Sequence, residues 1–223
     1  MDGAIGAMQQ RWTRVAARLR DGLPLPSAPL RALLGQLLDE PRTGAWHPTG
    51  FVVLNLADDD VGTLRLHLWP EQGREYGTPC WPVHDHVWWL RSQVLCGTVR
   101  SREYTVREES GATATLYAVH YGPEQRSSMH RSERQVVVTA AVPTTVEAGQ
   151  RYTVDAGVFH ASRVEPGCMA ATLVATRRTG QPRPWVVGPS DGPPRVPVQR
   201  PAASTQLVRG LVERVRDSLC DLG

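Results

Sequence analysis

The chain has 223 residues, a formal charge of +3 and 41% hydrophobic residues, a length that suits one sizeable β domain with appendages. Its basic residues are spread along the chain and not clustered with aromatics, which argues against a nucleic-acid-binding face. All 25 basic residues are arginines, so no side-chain amine is present for Schiff-base chemistry or for a lysine general base. Cys80, Cys96, Cys168 and Cys220 stand far apart with no CxxC pair, which suggests neither a zinc knuckle nor a dense disulfide framework. Met1 to Arg11 lacks the apolar core of a signal peptide and no segment is long enough to span a bilayer. The expected address is the cytoplasm with reduced thiols, and no membrane partner is expected.

In chain order, residues 6 to 20 place Met8, Trp12, Val15, Ala16 and Leu19 at helical spacing, and Leu30, Leu33, Leu34, Leu37 and Leu38 repeat the signal after a Leu-Pro-Leu-Pro connector. From Gly50 the rhythm changes to short β-rich runs. These are Phe51 to Leu56, Thr63 to Trp69, Trp81 to Val87, Leu90 to Leu95, Thr98 to Val106, Thr113 to Val119, Gln135 to Ala141, Thr144 to Ala148, Tyr152 to Asp155, His160 to Val164 and Met169 to Thr176. Many short strands with no helical period between them predict a closed all-β sandwich or barrel. Beyond Arg178 seven prolines predict an extended arm that forms no strand ladder, anchored by Trp185-Val186-Val187. Ser204 then caps a helix carrying Leu207, Leu211, Val215 and Leu219. The expected division is a helical segment over 1–45, the barrel over 46–178, and the arm with its helix over 179–223.

Within this frame one stretch carries chemistry. In Pro82-Val83-His84-Asp85-His86 the alternation of an extended chain turns His84 and His86 the same way and Asp85 the other. A second glycine turn, Gly149, leads through Asp155 and Gly157 to His160, a third imidazole delivered onto a distant strand. Neutral imidazole is the commonest metal ligand, so three of them define a candidate metal site.

Together these two stretches resemble the motifs of the cupin family. Gly77, His84, His86, Leu90 and Gly97 fill the places of its first motif, and Gly149, Asp155, Gly157, His160 and Val164 those of its second. There are departures. Asp155 replaces a turn proline, Val164 replaces an asparagine, one extra residue precedes His84, and Leu90 stands where a carboxylate ligand is usual. Losing that carboxylate leaves a neutral three-histidine set similar to the thiol dioxygenase branch, and Leu64-Arg65-Leu66-His67-Leu68-Trp69 resembles cysteine dioxygenase ahead of its metal histidines. The resemblance spans roughly residues 50 to 178. It implies a mainly β fold, a double-stranded β-helix (jelly-roll) barrel with N-terminal helices and a C-terminal arm and helix. It also implies a mononuclear Fe(II) oxygenase acting with O2 on a small metabolite, with His84, His86 and His160 as metal ligands.

Zn(II) or Ni(II) suits the same ligands, so a non-redox isomerase, cyclase or lyase is the alternative, as is a binding protein without turnover. Alternation places Trp88, Leu90 and Ser92 on the face of the histidines as a pocket wall, joined by Trp81 and by His67 on the preceding strand. Arg91 becomes a carboxylate clamp only if a bulge follows His86. Tyr104 and Tyr117 lie on barrel strands, where a phenol is a candidate donor to O2, with packing the alternative use of both. His130 is expected in a solvated loop. The arginine that grips the substrate carboxylate in cysteine dioxygenase has no counterpart at Phe51-Val52-Val53, and its Ser-His-Tyr relay none in Ala170 to Ala175. A thiol or a larger, aromatic-compatible metabolite is therefore expected in place of cysteine. The terminal helices and the arm are candidate contacts for a homodimer.

Overall fold

The computed structural model describes residues 2–40, 42–122, 127–180 and 182–219. Two helices come first, α1 (Asp2–Arg20) and α2 (Ser27–Asp39). Eleven strands follow: β1 (Gly44–His47), β2 (Phe51–Asp58), β3 (Thr63–Trp69), β4 (Trp88–Cys96), β5 (Thr98–Glu108), β6 (Ala114–Tyr121), β7 (Ser127–Ala140), β8 (Thr144–Glu147), β9 (Arg151–Val154), β10 (Phe159–Arg163) and β11 (Ala170–Arg178). The chain ends through β12 (Trp185–Pro189), β13 (Arg195–Val198), β14 (Ala202–Ala203) and α3 (Thr205–Ser218).

The strands pair antiparallel into two sheets. One runs β14-β1-β2-β3-β11-β4-β9; the other runs β10-β5-β7-β6-β12, with β13 added to β7 and β8 to β5. This is a mainly β, double-sheet jelly-roll barrel with helices at both ends of the chain, as the sequence resemblance implies.

The first sheet packs one face against the helices and turns the other into the barrel, and strict alternation on β3 shows how. Leu64, Leu66 and Leu68 are fully buried and join the core beneath the helices, together with Leu54, Leu56, Leu173, Trp12, Leu34 and Val215. Arg65, His67 and Trp69 point the other way, into the barrel. Burying each of these large apolar side chains contributes about 1.5–3 kcal/mol, so the helices are held by the outer face of the sheet and leave its inner face to the site. Ser204 caps α3, its Oγ accepting from the Leu207 N–H at 3.2 Å, worth about 1 kcal/mol.

Four expectations change. The run Trp81 to Val87 is not a regular strand: it makes isolated bridges at His84, to His160 and to Val186, and Pro82 within it offers no donor. The proline-rich arm does form ladders, β12 on β6, β13 on β7 and β14 on β1. Each of these strands lies at a sheet margin, where Pro197 is tolerated because its missing N–H is not needed by a further neighbour. The short strand β1 was not legible, and β7 starts well before Gln135. His130 consequently lies on β7, opposite Ala118 of β6 and Arg195 of β13, with its ring 4.4 Å from that of His120, and not in a loop.

Candidate metal centre

His84 and His160 meet across a two-way backbone bridge. The His160 N–H donates to the His84 carbonyl at 2.8 Å and the His84 N–H to the His160 carbonyl at 3.2 Å. His86 is held by the Gly157 N–H, which donates to its carbonyl at 2.9 Å. Gly157, at φ 79°, takes a left-handed turn that suits glycine. The two motifs thus lock to each other through main chain, and their side chains converge. Ring centroids lie 4.8 Å apart for His84 and His86, 4.8 Å for His84 and His160, and 4.9 Å for His86 and His160.

One ligand nitrogen from each ring lies within 4.8 Å of the others. Nitrogens about 2.1 Å from a single ion sit roughly 3 Å apart, so modest ring rotation completes the set. Tautomers agree with this use. His84 Nδ1 is 2.8 Å from the Pro82 carbonyl and His160 Nδ1 is 3.1 Å from the Val158 carbonyl. A carbonyl only accepts, so each Nδ1 carries the proton and each Nε2 keeps its lone pair. Burial pushes all three imidazoles below the usual histidine range, His160 to about 3, so the rings are neutral at pH 7 and free to ligate. The donor set fits a metal ion.

Around it lies a cavity of about 70 Å³, walled by Phe51, Trp69, Trp88, Leu90 and His67 among others. Trp88 stacks on His86, with centroids 5.1 Å apart and planes at 17°. Trp88, Leu90 and His67 all line this cavity. Burial holds the His67 imidazole down to about 3.

Other expectations are corrected. Arg91 is on the far side of β4, where it donates to the Arg20 carbonyl at 2.8 Å and lies over Trp89 with 5.0 Å to the ring centroid. The register of β4 against β11 runs without a shift from Trp88 to Val94, so alternation carries Arg91 to the helix side, and there the C-terminal carbonyls of α1 attract a cation. Ser92 is fully buried outside the cavity lining. Trp81 packs on Tyr117, 4.6 Å between centroids, and lines a second cavity that shares His47, Thr49, His84 and His86 with the first. Tyr104 lines a larger outer cavity of about 520 Å³ and not the histidine cavity, because on β5 it stands opposite Phe159, whereas His160 stands opposite Glu103, so alternation turns Tyr104 to the other face. Tyr117 is fully buried and donates to the Pro189 carbonyl at 3.1 Å, a packing role. Asp85 is buried, its Oδ1 accepting from the Trp185 N–H at 2.5 Å, and burial raises its carboxyl to about 6.

Three inward residues escaped the sequence reading: His47, Arg65 and Arg200. His47, on β1, stacks on Phe51 at 4.4 Å and comes within 5.9 Å of the His84 ring. Its Nδ1 accepts from the Thr49 N–H at 3.3 Å, which places its proton on Nε2 and makes it a donor at the cavity wall, not a fourth ligand as it stands. Arg65 lines the histidine cavity and Arg200 the second one.

No protein-family model matches this sequence, and no curated protein matches it significantly. Among solved structures it is similar to the DMSP lyase DddQ from Ruegeria pomeroyi DSS-3, with 15% identity and a TM-score of 0.34 over 60% of this chain and 50% of that chain. The chain thus spans about half the length of that structure. A likeness of this degree bears on neither activity nor substrate, and the topology and the histidine geometry carry the assignment of the fold.

Proposed function

We propose that the protein is a mononuclear non-haem Fe(II) oxygenase of the thiol dioxygenase-like kind, acting with O2 on a small metabolite. The observation that supports it most is the neutral three-imidazole set of His84, His86 and His160, closed in by aromatic side chains, with no carboxylate among the described lining residues. When bound, the iron would keep its full double charge and supply the redox exchange with O2 that no side chain here supplies. The chain's own residues do the rest. The Pro82 and Val158 carbonyls fix the tautomers of two ligands, and Phe51, Trp69, Trp88 and Leu90 exclude bulk water and hold the ligand against the histidines. His47 offers an Nε2–H to whatever occupies the cavity. The volume of about 70 Å³ holds on the order of five water-sized spheres, which favours a compact substrate over an aromatic one. Anaerobic reconstitution with Fe(II), followed by O2 uptake with a panel of small thiols and acids, tests the reading. Uptake that depends on both iron and one panel member is expected; its absence across the panel overturns it.

A second reading rests on the same ligands. An all-imidazole set accepts Zn(II) or Ni(II) as readily, and such an ion would polarise a substrate oxygen for isomerisation, cyclisation or elimination. Turnover under argon with Zn(II)- or Ni(II)-loaded protein would select it.

A further inference from the structure

The outer cavity of about 520 Å³ is lined by four arginines, Arg74, Arg100, Arg102 and Arg163, and by one carboxylate, Glu165. The pairing of β5 with β10 gathers three of these cations. Arg163 stands directly opposite Arg100, and Arg102, two residues along β5 on the same face, stands opposite Ala161. Opposite residues of an antiparallel pair lie about 5 Å apart, so the three guanidiniums are rooted in one patch. Ala161, with only a methyl group, leaves room between them.

Like charges placed directly opposite one another work against strand pairing, and the fold answers only part of this repulsion. Arg100 pairs with Glu165 at 2.7 Å. Arg74 directs its donors to the carbonyls of Pro70, Val164, Glu165 and Cys168, which fixes the rim of the cavity and leaves the charge in place. Arg102 and Arg163 have neither a hydrogen bond nor an ion pair among the described residues. The Tyr104 hydroxyl, two residues beyond Arg102 on the same face, has no partner among them either. The wall thus presents two uncommitted guanidinium forks and a phenol, with a positive excess that no lining side chain offsets.

We propose that this cavity binds the phosphate group of a small phosphorylated metabolite, held by Arg102 and Arg163. Guanidinium forks match phosphate oxygens two-on-two. A phosphate monoester carries about −1.5 to −2 charges at pH 7 and three acceptor oxygens, enough for both forks and the phenol, whereas a carboxylate brings two oxygens and a single charge. The volume lies within the range of about 300–1,000 Å³ usual for small-molecule sites, so an organic carrier has room beside the anion. Trp69, Tyr76 and Pro143 supply apolar wall for it. The site does not rest on the preceding reading, because Arg163, three residues from His160 on β10, is turned to the opposite face.

The test uses the whole chain freed of metal, in which phosphate has no ion to bind at the histidines. Calorimetry compares inorganic phosphate, glycerol phosphate and ribose phosphate with glycerol and ribose. Each ester is expected to bind about tenfold or more tightly than its parent alcohol. Arg102→Gln and Arg163→Gln are each expected to weaken the esters by about tenfold or more, and Arg163→Lys by less, since it keeps a point charge without the fork. Arg107→Gln, on β5 outside the cavity, and His86→Ala, in the triad, are expected to bind the esters as wild type does. Esters bound no better than their alcohols overturn the proposal. An equal loss in Arg107→Gln overturns it too, as a general response to surface charge. If Arg102→Gln does not fold, Arg163→Gln, at an exposed position, decides. Metal uptake by wild type with the esters unbound sinks the phosphate site and leaves the metal centre standing. Esters bound by protein that takes up no metal do the reverse.

Discussion

Asp85 and Trp185 exchange two hydrogen bonds. The Asp85 N–H donates to the Trp185 carbonyl at 3.0 Å, and Asp85 Oδ1 accepts from the Trp185 N–H at 2.5 Å. The pair fastens the C-terminal arm to the residue that separates two histidines of the candidate metal centre, so the arm is part of the frame of the site. Burial disfavours the Asp85 carboxylate, so what the site uses is the acceptor oxygen and not the charge. Asp85→Asn retains that acceptor and is expected to match or exceed wild-type stability at pH 7. Asp85→Ala leaves the Trp185 N–H unanswered and is expected to cost about 1–3 kcal/mol and to weaken metal uptake. Urea denaturation and metal titration of the two variants check this.

The triad sorts the histidines by role. Alanine at His84, His86 or His160 removes one of three nitrogens and is expected to bring metal stoichiometry close to zero while circular dichroism stays that of a β protein. His67→Ala lies in the same cavity but outside the triad, and His120→Ala lies on the far sheet; both are expected to keep the metal. Elemental analysis of purified variants reads this directly, and metal retained by a triad variant would refute the assignment.

Helix α1 is docked by a charge. Arg20, buried at the end of α1, donates to Asp59 Oδ2 at 2.9 Å and to the Thr176 carbonyl at 2.8 Å. Burial pushes the Asp59 carboxyl upward, but the hydrogen bonds from Arg20 and from the Gly62 and Val61 N–H groups prevail and hold it below the usual range. A depressed pKa means that this stabilisation is complete above the unfolded value of about 4 and is lost as pH falls through the lower folded value. Asp59→Asn is expected to lower stability at pH 7 by about 1 kcal/mol, with the difference from wild type shrinking as pH falls below the unfolded carboxylate value of about 4. Parallel urea melts across that range check the sign.

What the sequence disclosed, it disclosed through periodicity. Alternation sent Trp88 and Leu90 to the cavity and would have sent Arg91 outward had no bulge been allowed for; the regular strand settled that against the clamp. The spacing to His160 was legible because two glycine turns frame it. Arg65, His47 and Arg200 were not, because their meeting depends on how β3, β1 and the arm close around the barrel, and no local pattern encodes that closure. Arg65 in particular reads on its own as one more arginine on an amphipathic strand. The arm's strands were hidden for a related reason: proline argues against a ladder only where both edges must pair, and edge position is a tertiary fact.

Two of the motif glycines, Gly97 and Gly149, separate turn strain from packing. Gly97, at φ 70°, joins β4 to β5, and a Cβ there would stand 2.1 Å from the Met169 carbonyl oxygen. Gly149, at φ 84°, joins β8 to β9, and a Cβ there would meet nothing within 4 Å. Both are left-handed, so alanine at either carries a strain of about 1–2 kcal/mol. Only at Gly97 must backbone also move, and the backbone in the way begins β11, which pairs with β3 and β4 beneath the histidine cavity. Gly97→Ala is therefore expected to cost more than about 3 kcal/mol and to reduce metal uptake. Gly149→Ala is expected to cost only the strain and to bind metal as wild type does. Equal destabilisation of the two in urea would mean that turn conformation, and not the approach of β11, is what the first motif glycine protects.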